Sequence, residues 1–273
     1  MDASIFPEPL AGPVVDTHCH MDVQYDDGHV LPSVTDAMAA AHSVGVTKVI
    51  QVGCDVASSQ WASETANDHP DVWAAVALHP NAAAHDRELS TSLSVIAELA
   101  ALPQVRAIGE TGLDYFRTGP DGVAAQQESF RAHIELAKSV NKALVIHDRD
   151  AHDDVVRILD EQGAPDTVVF HCFSGDLSLA RVCAERGWYT SFSGTVTFKN
   201  APHLREAALA MPQDLLLVET DSPFLTPTPH RGRPNASTLL PLTVRAISAV
   251  RGESEEQICR ALFSNSTRVF GPF

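Results

Sequence analysis

The chain has 273 residues, with 19 Lys and Arg against 35 Asp and Glu, a net charge of −16. That balance disfavours broad, sequence-independent binding to duplex DNA through a basic face, because such affinity comes from Lys and Arg neutralising many phosphates. Hydrophobic residues make up 44%, enough for an ordinary core, while no apolar run approaches the ~20 residues that span a bilayer.

Eight short apolar runs recur along the chain, each followed by a polar turn and a helix-like segment. The first is residues 14–17, followed by an alanine-rich amphipathic stretch over 33–44 that Gly45 closes. The second is 48–53, with a turn at Cys54-Asp55 and a helix over 58–67. The third, 72–78, ends at His79-Pro80 and leads to a helix over 88–101. The fourth, 105–109, ends at Glu110, enters a turn over 111–114, and precedes a long helix over 124–140. The fifth, 143–146, ends at His147 before a helix over 151–161. The sixth, 167–170, ends at His171 before a helix over 177–186 that Gly187 stops. The seventh, 188–192, leads through Ser193-Gly194 to a helix over 201–210. The eighth, 215–219, ends at Thr220-Asp221, and its helix covers 237–250.

Continuous apolar runs alternating with helices mean parallel strands covered on both faces. Eight such units predict an α/β fold of the TIM (β/α)8 barrel class, with one extra C-terminal helix within 253–270 docked outside. The chain shows no internal repeat and no linker, so a single domain over residues 1–273 is expected. The long connection 222–236 is proline-rich and carries Arg231-Gly232-Arg233; long irregular loops in compact domains commonly serve function.

Five cysteines, an odd number without a Cys-x-x-Cys pair, argue against a disulfide framework. They predict a reducing cytoplasm and read as small packing residues. Residues 1–13 contain acids and prolines and no basic segment, so no secretion signal is expected.

In a barrel of this kind the C-terminal ends of different strands converge, and active sites sit there. Those ends carry His18, His20, His79, Glu110, His147, His171 and Asp221. His18 and His20 flank one residue on a strand, so both imidazoles share a face and Cys19 points away. Alone, the pair fits two separately hydrogen-bonded histidines as well as a chelate. Histidine fills only 13 of 273 positions, so its recurrence at successive strand ends marks a selected position. Burying that many ionisable groups costs several kcal/mol each unless bound cations offset it.

One catalytic zinc takes three protein ligands and a water, whereas six candidates suit two cations ~3.5–4 Å apart sharing a carboxylate. Glu110 is the bridging candidate. His18, His20 and Asp221 complete one ion, His147 and His171 the other. Asp221 also stands where it can orient a water and take its proton, with a helix N-cap as its ordinary alternative. Imidazole ligation favours Zn²⁺ or Mn²⁺, while phosphate chemistry often uses Mg²⁺.

The blocks Asp16-Thr17-His18-Cys19-His20, Leu78-His79-Pro80, Gly109-Glu110-Thr111-Gly112-Leu113-Asp114-Tyr115, Ile146-His147-Asp148-Arg149-Asp150-Ala151, Phe170-His171-Cys172-Phe173-Ser174-Gly175 and Glu219-Thr220-Asp221-Ser222-Pro223 resemble those of the TatD-related metal-dependent deoxyribonucleases. The resemblance runs from about Val14 to Gly271 and keeps the family's order. It implies a TIM barrel, a two-metal site on the residues just named, and hydrolysis of phosphodiester bonds in DNA, often from a strand end. Two positions depart from the family: Thr111 stands where an aliphatic residue is common, and Asn235-Ala236-Ser237 where Asn-Glu-Pro is usual.

His79 is read as contacting substrate, with a structural hydrogen bond as the alternative. Lys199, Arg231 and Arg233 follow strands seven and eight, where barrels often bind phosphate, although a solvated loop charge explains each equally well. Asp114 and Arg149 are weaker candidates for orienting ligands or substrate. His29, His42, His69, His85, His133, His152, His203 and His230 fall away from strand ends and read as surface or packing residues. The expected partner is a DNA strand that is single-stranded or frayed at its end, with neither a membrane nor an obligatory protein partner. A small ester, lactone or amide on the same site is the competing substrate class.

Overall fold

The computed structural model describes residues 6–24 and 31–272. Among them are the strands and helices β1 (Val14–Cys19), α1 (Val34–Ser43), β2 (Val46–Val52), α2 (Val56–Asp68), β3 (Val72–Val76), α3 (Pro80–Ala83), α4 (Leu89–Ala100), β4 (Val105–Asp114), α5 (Pro120–Val140), β5 (Ala143–Arg149), α6 (His152–Gln162), β6 (Val168–Phe170), α7 (Leu177–Arg186), β7 (Tyr189–Phe192), α8 (Pro202–Ala210), β8 (Leu216–Val218), α9 (Leu240–Arg251) and α10 (Glu255–Phe270). The strands follow one another in chain order in a single sheet, β1 to β8. A helix follows every strand, and α10 is the extra one; this is the TIM (β/α)8 class that the alternating pattern predicts. Internal contacts divide the chain into two compact units, one containing the residues up to Ile50 with Gly175–Arg268, the other Gln51–Ser174 with Val269–Gly271.

In the first unit, every residue of β1 is buried, as expected of a strand covered on both faces. Its end is tied to the segment following β8: Asp221 N donates to His18 O at 2.9 Å and His20 N to Ser222 O at 2.7 Å, around a parallel bridge between Cys19 and Ser222. The first and last strands therefore meet, which is how a sheet of this class closes. Helix α10 is pinned to the entry of β8 by Asn265, whose Nδ2 donates to Gln213 O and Leu216 O at 2.8 and 2.7 Å. Ser33 caps α1 by accepting from Asp36 N at 3.1 Å.

In the second unit, β3, β4, β5 and β6 pair in parallel. Helix α5 lays Phe130, Ile134 and Ala137 against them, all fully buried; the two large side chains each contribute about 1.5–3 kcal/mol by leaving water. His133 lies on that face too. Its Nδ1–H donates to Ser129 O at 2.7 Å, which leaves the Nε2 lone pair to accept from Leu78 N at 3.1 Å. A helix side chain thus satisfies a backbone N–H just beyond β3. Asp55 caps α2 in a reciprocal capping box with Ser58.

Several elements differ from the sequence expectation. Strand β4 does not stop before Glu110 but runs to Asp114, and β5 continues past His147 to Arg149. The stretch expected as a turn pairs in register, Thr111 with Ile146, Gly112 with His147, Leu113 with Asp148 and Asp114 with Arg149. Gly112, which suggested the turn, serves a close backbone approach: a Cβ there would lie 2.1 Å from His147 O, and its φ is +138°. Glu110 falls where the β4–β5 register shifts, between Ile108 and Thr111. A short helix, α3, follows His79 ahead of the expected one; α5 begins at Pro120, a favoured first helical residue; and a 3-10 turn over Ser237–Leu239 precedes α9. Of the histidines expected away from the site, His29 lies outside the described residues.

Candidate metal centre

In the first unit, the extended backbone of β1 sends His18 and His20 to one side, with their Nε2 atoms 3.2 Å apart. Asp221 joins them, its Oδ1 3.5 Å from His20 Nε2 and 3.8 Å from His18 Nε2. No helix starts at Asp221, so the N-cap alternative does not hold. The residue instead has φ +53°, a left-handed conformation that Asp tolerates better than most side chains, and its backbone bond to His18 fixes the approach. Cys19 points the other way, its Sγ 3.5 Å from Ile50 O.

A buried carboxylate braces this group from behind. Asp16 accepts from Thr220 N at 2.8 Å, Thr220 Oγ1 at 2.6 Å and Ser237 Oγ at 2.7 Å. Burial pushes its pKa up, to about 6, against the pull of these hydrogen bonds. Asn235 Nδ2 donates to Thr220 O at 2.9 Å and Phe224 O at 2.7 Å. The departure Asn235-Ala236-Ser237 thus keeps the loop tied to the end of β8, with Ser237 supplying a donor.

In the second unit, Glu110 is the hub. Its Oε2 is 2.9 Å from His171 Nε2, 3.0 Å from His147 Nδ1 and 3.8 Å from His79 Nε2. Glu110, His79 and His147 form a group able to hold a metal ion. His79 Nδ1 accepts from Asn81 N at 3.0 Å, capping α3; the neutral ring therefore carries its proton on Nε2, facing Glu110. Burial drives the His79 pKa down to about 4, more than Glu110 raises it, so this imidazole is neutral at pH 7. The structural hydrogen bond read for His79 is present at Nδ1, and Nε2 faces Glu110.

His147 is held at its other nitrogen as well, with Nε2 3.2 Å from Asp114 Oδ2. Asp114 lies in a ring of hydrogen bonds: Asn81 Nδ2 donates to it at 3.2 Å, Thr118 Oγ1 to Asn81 Oδ1 at 2.9 Å, Gln126 Nε2 to Thr118 Oγ1 at 2.6 Å, and Asp114 N to Gln126 Oε1 at 2.9 Å. Burial pushes the Asp114 carboxyl upward, but the bonds from His147 and Arg117 N and the charge of His147 outweigh it and hold its pKa well below the usual range. Sequence reasoning missed Asn81, Thr118 and Gln126, since nothing in their local sequence distinguishes them. It also took Cys54 for plain packing, whereas Cys54 Sγ donates to Glu110 Oε1 at 3.5 Å; its position one residue beyond the apolar run of β2 was the available signal.

The donor sets fit divalent cations. Bonds of about 2.0–2.1 Å in a tetrahedron put neighbouring donors roughly 3.4 Å apart, near the 3.2–3.8 Å separations among His18, His20 and Asp221. Imidazole and carboxylate donors suit Zn²⁺, Mn²⁺ or Mg²⁺. Of the expected substrate contacts, Lys199, Arg231 and Arg233 are exposed in the first unit, with the Arg231 guanidinium 3.6 Å from the centroid of the Phe198 ring. Among the described residues no helix is long and apolar enough to cross a membrane.

A (β/α)8 fold with histidines and carboxylates in or just after the C-terminal halves of its strands defines a metal-dependent hydrolase. The TatD-related DNase family model matches residues 15–271, and the chain belongs to that family. It is 44% identical over 263 residues to the uncharacterized metal-dependent hydrolase TatD of Mycobacterium tuberculosis, covering 94% of this chain and 98% of that one. The uncharacterized metal-dependent hydrolase YabD of Bacillus subtilis is 38% identical over 93% of this chain and 98% of its own length. Among solved structures, the TatD homologue YjjV of Escherichia coli superposes with a TM-score of 0.86 at 28% identity, covering 95% of this chain and 98% of that one.

Proposed function

We propose that the chain hydrolyses phosphodiester bonds in DNA at a single-stranded or frayed strand end, as one domain in which His18, His20, Glu110, His147, His171 and Asp221 hold two divalent cations. The observation that carries this reading is the surroundings of Glu110, a buried carboxylate with imidazole nitrogens of His171 and His147 2.9 and 3.0 Å from one oxygen. Together with His18, His20 and Asp221 it gives six donors, twice what one catalytic zinc takes from protein. When bound, two such ions lower the pKa of water from 15.7 towards ~7 and stabilise the entering and leaving oxygens of an in-line displacement.

The chain's own residues do the rest. Glu110 would help to hold the ions, Asp221 orients the attacking water and accepts its proton, and His79 offers its Nε2–H to a phosphate oxygen. Lys199, Arg231 and Arg233 supply positive charge beyond β7 and β8. The net charge of −16 supports a substrate gripped through few phosphates, so a shallow salt dependence is expected. All five cysteines are thiols, which supports a reducing, cytoplasmic setting.

The test is turnover of an end-labelled oligonucleotide, a nitrophenyl phosphodiester and a lactone panel by one preparation loaded in turn with Zn²⁺, Mn²⁺ and Mg²⁺. Stepwise shortening of the oligonucleotide, abolished by chelation, is expected. Turnover of lactones with the oligonucleotide left intact would overturn the reading in favour of carbon-centred hydrolysis.

A further inference from the structure

Arg149 ends β5 two residues beyond His147. Side chains alternate along a strand, so Arg149 and His147 project to the same side. Its guanidinium Cζ lies 3.9 Å from the centroid of the Phe116 ring, which follows β4 by two residues. Tyr115 N donates to Arg149 O at 2.9 Å and holds the two segments together. Phe116 is nevertheless 62% exposed, because the guanidinium covers only part of the ring.

Some arginines of this acidic chain are neutralised by carboxylates. Arg131 and Arg157 pair with Glu161, Arg245 with Glu255, and Arg251 with Glu253. Arg149 has no carboxylate partner among the described residues. A comparable stack, Arg106 over Trp73 at 3.3 Å, stands near the starts of β3 and β4, at the opposite end from Glu110 and His147. An exposed aromatic ring backed by an unneutralised guanidinium, beside phosphate-handling groups, suits a ligand that is both flat and anionic.

We propose that Phe116 and Arg149 form a stacking platform for one unpaired nucleobase of the substrate strand. The base lies on the open face of Phe116, and the N–H edge of Arg149 meets the adjoining phosphate. Stacking of this kind accepts any base, since each has a π face. Bases inside a duplex are already stacked and paired, so the platform selects a strand end or a single strand. This inference rests on the DNA-hydrolase reading above and names how that substrate is held.

The experiment uses the metal-loaded full chain and phosphorothioate-linked oligonucleotides, which resist cleavage, carrying either 2-aminopurine or abasic sites at the terminal positions. Phe116→Leu is expected to weaken binding of the base-bearing strand by about five-fold or more and to reduce 2-aminopurine quenching, while Phe116→Trp retains both. The abasic strand is expected to bind the unsubstituted chain and Phe116→Leu alike, with equal melting temperatures showing that both are folded. Binding and quenching by Phe116→Leu equal to those of the unsubstituted chain would overturn the platform alone. If the unsubstituted chain neither binds these strands nor cleaves an ordinary oligonucleotide, the DNA reading itself fails and takes the platform with it.

Discussion

His147 sits between two carboxylates, with Nδ1 3.0 Å from Glu110 Oε2 and Nε2 3.2 Å from Asp114 Oδ2. Asp114 receives other donors from Asn81 and Arg117, so it acts as an acceptor and requires the His147 proton on Nε2. That leaves Nδ1 as the nitrogen offered on the Glu110 side. A carboxylate that fixes the tautomer of a ligating imidazole typically contributes 10- to 100-fold in metal affinity. Asp114→Ala is therefore expected to weaken metal binding by about that factor, measured by competition with a chromogenic chelator, while a histidine NMR spectrum shows the His147 tautomer no longer fixed. Unchanged affinity would mean that Asp114 only packs.

Asp221→Asn keeps the shape of the side chain and removes its basicity. Loss of a general base costs roughly 10²- to 10⁴-fold in rate, so single-turnover cleavage is expected to fall by that order with the strand still bound. A rate within a few-fold of the parent would show that the proton goes elsewhere.

Gly112→Ala tests the pairing that carries His147. The added Cβ would meet His147 O at 2.1 Å, on a residue whose φ is +138°. Backbone must move, and the expected loss is about 2 kcal/mol or more, read from urea unfolding. Metal affinity should fall too, because the displaced atom belongs to His147. An unchanged urea midpoint would contradict the close approach.

The sequence made legible the polar residues that close its apolar runs, because such a residue has few other reasons to be there. Glu110, His147, His171 and Asp221 stood out in that way, and Gly45 and Gly187 marked helix ends by their own chemistry. What stayed hidden depends on partners distant along the chain. Gly112 reads as a turn until β5 is placed beside it, and the ring joining Asn81, Asp114, Thr118 and Gln126 links residues with no shared local pattern. Phe116 was indistinguishable from a core phenylalanine, since exposure is decided by where β4 ends.

His133 links stability to pH. Burial pushes its pKa down to about 4, whereas an unfolded histidine titrates near 6.5. As pH falls, the unfolded chain takes up this proton first; stability from the neutral ring is complete above pH 6.5 and is lost between 6.5 and 4, by up to about 3 kcal/mol. His133→Gln has no titrating group there, so its unfolding free energy should fall less steeply between pH 7 and pH 5 than that of the parent. Equal slopes in chemical denaturation would remove His133 as the cause.

The proposed pairing of two cations on Glu110 is tested most directly by anomalous diffraction from crystals soaked in Mn²⁺ or Zn²⁺. Two peaks ~3.5–4 Å apart, both within bonding distance of Glu110, one beside His18 and His20 and the other beside His147 and His171, are expected. A single peak, or two that leave Glu110 uncoordinated, would contradict the account.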